Sequence, residues 1–134
     1  GFAFKANTND TRESPAINIC KDFLEEGAHL LIHDPKVSSL QIEKDLGKKE
    51  HKTTKCNFAG EGSWSFKEEI TDAIEGSDAI VILTEWDEYK KLDWGKVSTL
   101  MRKPAWLFDS RAMISKIDIE KTNLNFWRIG DGSL

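Results

Sequence analysis

A chain of 134 residues, 39% apolar and 31% charged, has the size and mix of one globular domain that buries a core without staples. No apolar run approaches the roughly 20 residues of a membrane helix, and a formal net charge of -4 with both signs interspersed excludes the basic stripe that tracks a nucleic acid. Two cysteines, Cys20 and Cys56, and no signal-peptide pattern fit a reducing compartment, so the expectation is one cytoplasmic domain over residues 1–134.

The chain opens at Gly1 inside a strand-like stretch, Phe2 to Phe4, with neither an initiator Met nor a lead-in; the expectation is a piece of a larger protein. A polar loop carrying Lys5 and Arg12 follows, then a predicted helix from Pro15 to Glu26 with Ile17, Cys20, Phe23 and Leu24 on one face. Ser14 suits its N-cap, Pro15 its first position and Gly27 its left-handed end. Ala28 to His33 reads as a strand stopped by Asp34-Pro35, which gives a β-α-β unit with a right-handed crossover.

Lys36 to Gly62 is polar, with a weak helical pattern around Leu40 to Leu46, and is expected to be a mobile surface excursion within the domain. Beyond it come a short strand at Ser63 to Ser65, a helix from Phe66 to Glu75 closed by Gly76, and a β-branched strand from Ala79 to Thr84. A helix from Trp94 to Met101, blocked by Pro104, precedes strands at Ala105 to Phe108 and Asn125 to Ile129. This alternation predicts an α/β, three-layer Rossmann-like domain, with a mostly parallel sheet of five to six strands and helices on both faces.

Ligands of such sheets bind beyond the carboxyl ends of the strands. That edge holds Lys5, His33 and Asp34, Thr84 to Trp86, and Asp109 to Arg111. Lys5 and Arg111 offer a point charge and a planar fork, two complementary ways of holding phosphate oxygens, or else two solvated surface cations. Arg12 lies between Asp10 and Glu13, where an ion pair that orders the loop is as good a reading as ligand contact.

A dinucleotide fingerprint would need G-x-G-x-x-G after the first strand. The loop KANTNDTRES has no glycine, so an autonomous NAD site of the usual kind is rejected, and His33-Asp34 reads as a strand end and turn rather than a ribose site. Cys20 reads as buried filler and Cys56 as an idle thiol, and no ligand spacing supports a metal. Trp86 could pack beside a ligand or partner domain, while Trp64 and Trp94 are expected to mark an exposed docking face.

GFAFK followed by T-x-D-T-R-E-S-P-A, then DP after the second strand, V-I-L-T-E-W-D at the fourth and F-D-S-R at the fifth together resemble the C-terminal domain of the UDP-glucose 6-dehydrogenases, in the UDP-glucose/GDP-mannose dehydrogenase family. The likeness runs in order from Gly1 to about Gly130, weakest over Lys36 to Gly62. It implies the UDP-sugar-binding lobe of an oxidoreductase that converts UDP-glucose to UDP-glucuronate by two hydride transfers to NAD, through a cysteine thioester. It also implies substrate binding by Phe4, Lys5 and Arg111, and NAD contact by Arg12 across a cleft. Ser110 stands where the family usually has glycine, which puts the aim of Arg111 in question.

The family's NAD-binding part and catalytic cysteine lie upstream of the position matching Gly1. The chain is therefore expected to be inert alone, to have that N-terminal part as its partner, and to belong to a homo-oligomer. Dehydrogenases of UDP-N-acetylmannosamine or GDP-mannose share the FK and R-E-S-P patterns and remain alternatives, as does a free-standing nucleotide-binding module. A two-component receiver domain is disfavoured, because its acids follow the first and third strands and its Lys-Pro follows the fifth, whereas Lys103-Pro104 here precedes the fifth.

Overall fold

A computed structural model describes residues 1–52 and 61–132; Cys56 falls outside them. The first helix, α1 (Pro15–Glu25), begins where its residue types dictate: Ser14 Oγ accepts from Ala16 N, Pro15 occupies the first turn, and Gly27 follows at φ 84°. Strand β1 (His29–Ile32) follows, then helix α2 (Ser39–Leu46), capped by Ser38 and ended by Gly47 at φ 66°. α2 arises from the weak pattern within the expected excursion and buries Ile42 and Leu46. Its neighbour is α1.

β2 (Ser63–Phe66) pairs with β1 in parallel, with Ile32 opposite Phe66. Helix α3 (Ile70–Ile74) leads to β3 (Ala79–Ile82), and the short α4 (Asp87–Lys90) and α5 (Trp94–Leu100) lead to β4 (Trp106–Asp109). Helix α6 (Lys116–Glu120) precedes the last strand, β5 (Asn125–Arg128). The expected α/β class and parallel strands are present, divided among the described residues into a two-stranded sheet, β1-β2, and a three-stranded sheet, β3-β4-β5.

Three expectations are corrected. Phe2 to Phe4 is not a strand but a bend, because side chains take its backbone groups: Asp34 Oδ2 accepts from Phe2 N (2.8 Å) and Ala3 N (2.9 Å), Ser14 Oγ donates to Phe2 O (2.8 Å), and Thr84 Oγ1 donates to Ala3 O (2.8 Å). The helix expected from Phe66 starts only at Ile70, since Phe66 is claimed by the β1 ladder. Trp64 and Trp94 are 1% and 5% exposed, so they are core and not a docking face. The exposed tryptophans are instead Trp106 and Trp127, either side of Phe108 on one face of the three-stranded sheet, with Trp106 stacked on Phe108 at 5.5 Å.

The core joins both sheets, through Phe2, Ile32 and Trp64 on one side and Ile82, Leu107 and Ile119 on the other. One glycine is fixed by close approach rather than by its φ. A Cβ on Gly62 would stand 2.7 Å from Leu24 Cα, and closer still to Leu24 O. Gly62→Ala is expected to push β2 off the end of α1 and cost about 1–3 kcal/mol, read as a lower urea midpoint at unchanged m-value; an unchanged midpoint would refute that packing.

Candidate functional site

The two sheets meet at the carboxyl ends of β1 and β3, and the opening segment is pinned between them. Asp34, two residues past β1, is 4% exposed and organises this junction. Besides Phe2 N and Ala3 N, its carboxylate accepts from Lys36 N and Val37 N (2.9 Å each) and from Trp86 Nε1 (3.2 Å). Burial pushes its pKa up, but the four backbone N–H groups outweigh that and hold it below the ordinary carboxylate range. Trp86, 5% exposed, is therefore a member of the core and not a surface for ligand or partner.

Asp109 repeats the device at the end of β4. Fully buried, it accepts from Arg111 N (3.0 Å), Met113 N (2.8 Å) and Ile114 N (2.8 Å), and so shapes the turn that presents Arg111. Serine is tolerated at 110: its backbone is not in the left-handed region, which in this turn is occupied by Ala112 at φ 53°, and its hydroxyl donates to Ile82 O at 2.5 Å. The substitution therefore leaves the Arg111 turn intact.

Arg111 and the opening loop are joined by a residue that sequence reasoning did not single out as a partner. Glu85 pairs with Arg111 Nη2 at 2.5 Å, each side chain about one-third exposed. Partial burial raises the Glu85 pKa, but its own N–H, the Arg111 guanidinium and the Ala6 N–H bring it below its ordinary value. A carboxylate three residues past β3 thus holds Arg111, with the Ala6 N–H near it. Its place in T-E-W-D, directly opposite F-D-S-R, was the available signal.

Phe4 and Lys5 are both exposed, and Phe4 N donates to Asp10 O at 2.8 Å, which closes the loop. On its far side Arg12 is gripped by Asp10, with Nε–Oδ1 3.0 Å and Nη2–Oδ2 2.9 Å. This pair holds the Asp10 pKa down to about 2. Both readings of Arg12 survive, because the ion pair is formed while the side chain stays 88% exposed. Arg111 is thus paired with Glu85 past the ends of β3 and β4, Phe4 and Lys5 lie exposed in the opening loop, and Arg12 faces outward across that loop.

The model of the UDP-glucose/GDP-mannose dehydrogenase family, UDP binding domain, matches residues 1–116. The chain belongs to that family. It is 40% identical over 126 residues to a UDP-glucose 6-dehydrogenase of Mus musculus, covering 94% of this chain and 25% of the relative. It is 37% identical over 136 residues to UDP-glucose 6-dehydrogenase 2 of Arabidopsis thaliana and 38% identical over 130 to a UDP-glucose 6-dehydrogenase of Drosophila melanogaster, covering 97% of this chain each time and 28% and 27% of those relatives. The chain thus spans about a quarter of the length of its dehydrogenase relatives.

The loop before α1 carries no glycine that would bring backbone amides onto a pyrophosphate, and the first amide of α1 is already taken by Ser14 Oγ. Cys20 is buried, and burial pushes its thiol up to about 11, which keeps it protonated near neutral pH. No helix of the described residues is long and apolar enough to cross a membrane.

Proposed function

We propose that this chain is a single UDP-sugar-binding lobe of an NAD-dependent UDP-glucose 6-dehydrogenase, and that it contributes substrate binding but no catalytic group. The Arg111–Glu85 ion pair carries the reading, because it holds a guanidinium at the carboxyl ends of the strands, the edge where ligands of parallel sheets bind. A diphosphate exchanges the carboxylate partner of Arg111 for phosphate oxygens, Lys5 adds a second positive charge, and Phe4 offers an exposed ring beside them. Arg12, held in place by Asp10 and open to solvent, reaches toward NAD held by the remainder of the enzyme, its partner lobe. In the complete enzyme these groups position the sugar C6 hydroxyl for oxidation to the carboxylate. That enzyme is cytoplasmic and homo-oligomeric.

Calorimetric titration with UDP, UDP-glucose and GDP tests this reading: saturable binding of UDP and UDP-glucose below millimolar concentration is expected. Tighter binding of GDP would move the assignment to a GDP-mannose enzyme, and no binding of any of the three would refute a nucleotide-binding role. Incubated alone with NAD and UDP-glucose, the chain is expected to produce no NADH; steady NADH formation would contradict its assignment as a binding lobe.

Arg12→Ala separates the two cations. It is expected to leave UDP affinity within about twofold while releasing Asp10, since an exposed pair contributes little beyond local order. A tenfold loss of UDP affinity would place Arg12 on the substrate.

A further inference from the structure

The loop that carries Arg111 runs from the end of β4 to the start of α6, and its two ends are fastened by different means. At the near end Asp109 accepts from the amides of Arg111, Met113 and Ile114, and Ser110 donates to Ile82 O through both its N–H and its hydroxyl. The far end is fastened from β5. Arg128, the last residue of that strand and the partner of Asp109 in the ladder, donates from Nη1 to Ile114 O at 3.3 Å. Its Nη2 lies 3.7 Å from Asp131 Oδ1, and the other oxygen of Asp131 lies 3.9 Å from Nζ of Lys116, the first residue of α6.

These contacts give Arg128 a task unlike that of Arg111. The Arg111 side chain pairs with the Glu85 carboxylate, a partner that an incoming anion can replace. The Arg128 guanidinium is divided between a main-chain carbonyl and a carboxylate, which its planar fork permits and a point charge does not. Ile114, 2% exposed, is thereby gripped on both sides: its amide by Asp109 and its carbonyl by Arg128, neighbours across the β4-β5 ladder. A loop already fixed in this way has little freedom left to lose when a ligand binds, whereas a loop freed at its far end must be ordered at the expense of affinity.

We propose that Arg128 is a positioning residue for Arg111: it latches the far end of the loop 110–114 to β5, and so keeps the Arg111 guanidinium aimed at a phosphate, without itself touching the ligand. The inference rests on the UDP-sugar-binding reading of Arg111.

The test is a double-mutant cycle on the whole chain, titrated with UDP: the parent, Arg128→Gln, Arg111→Ala and the double variant. Arg128→Gln is expected to weaken UDP by about three- to tenfold in the parent, and by less than about twofold in the Arg111→Ala background, because its effect passes through Arg111. Equal weakening in both backgrounds would overturn the proposal by making Arg128 a ligand contact. No weakening in either would overturn it by leaving Arg128 a structural ion pair. A parent that binds no UDP would instead overturn the binding-lobe reading, and this inference with it. A ligand-free arm follows hydrogen exchange at the Met113 and Ile114 amides, expected to quicken by about threefold or more in Arg128→Gln and to return toward the parent rate in Arg128→Lys, which keeps the charge and a donor. Unchanged exchange in Arg128→Gln would also overturn the proposal.

Discussion

Asp34→Ala is expected to be the most destabilising single substitution outside the apolar core, costing at least about 3 kcal/mol. The carboxylate is 4% exposed and binds four backbone amides and the Trp86 indole. Removing it leaves buried donors with no acceptor, each of which costs its own desolvation. Among the described residues, Phe2 and Ala3 then keep only their carbonyl bonds to Ser14 and Thr84, so the loop bearing Lys5 loosens with them. Asp34→Asn retains an oxygen but turns an N–H toward donors, and is expected to fall between alanine and the parent. Urea unfolding of the three proteins orders them; a midpoint for Asp34→Ala equal to the parent's would refute the hub.

The same residue sets an acid dependence of known sign. Its folded pKa lies below the ordinary value despite burial, so its contribution is complete above the unfolded carboxyl value near pH 4 and is lost as pH falls through the folded value. The parent's stability should therefore drop below about pH 4 more steeply than that of Asp34→Asn. Parallel slopes for the two would contradict the assignment.

Arg111→Ala is expected to have the largest effect on ligand binding, weakening UDP by about 10- to 100-fold, the range for loss of a charge-assisted contact to phosphate. Its partner gives the opposite sign. In the free protein Glu85 competes for the guanidinium at 2.5 Å, and UDP must displace it. Glu85→Gln keeps the size and an acceptor oxygen of the side chain while removing the competing charge, so UDP affinity should rise by about two- to tenfold, most at low ionic strength. Calorimetry at two salt concentrations reads both variants. Weaker binding by Glu85→Gln would make Glu85 a ligand contact rather than a competitor.

Much of this was legible in the residues. Ser14, Pro15 and Gly27 signpost α1 because caps and left-handed ends are local chemistry, and the β-branched run at Ala79 marks β3 for the same reason. Helices α4 and α6 were not expected, since segments of four or five residues are too short to display a helical period. The opening segment misled because apolar residues such as Phe2 and Ala3 suit a buried bend as well as a strand, and only the tertiary partners Asp34 and Thr84 decide between them. Asp34 itself was read as a turn former; its service to residues 2 and 3 spans more than thirty positions. Trp64 and Trp94 were misplaced because the type alone does not say which face of an element is covered. On the site edge, Lys5 and Arg111 were visible as cations at strand ends, and the Glu85 bridge was not, because ion pairing across strands depends on which loops the sheet order brings together.

The central claim is that a UDP-sugar binds at the edge shared by Phe4, Lys5 and Arg111, and amide chemical-shift mapping with UDP-glucose tests it most directly. Saturable shifts are predicted to cluster at residues 4–6, at Glu85 and at 111–113, and to disappear in Arg111→Ala. Shifts centred elsewhere, or the same shifts in Arg111→Ala, would contradict it.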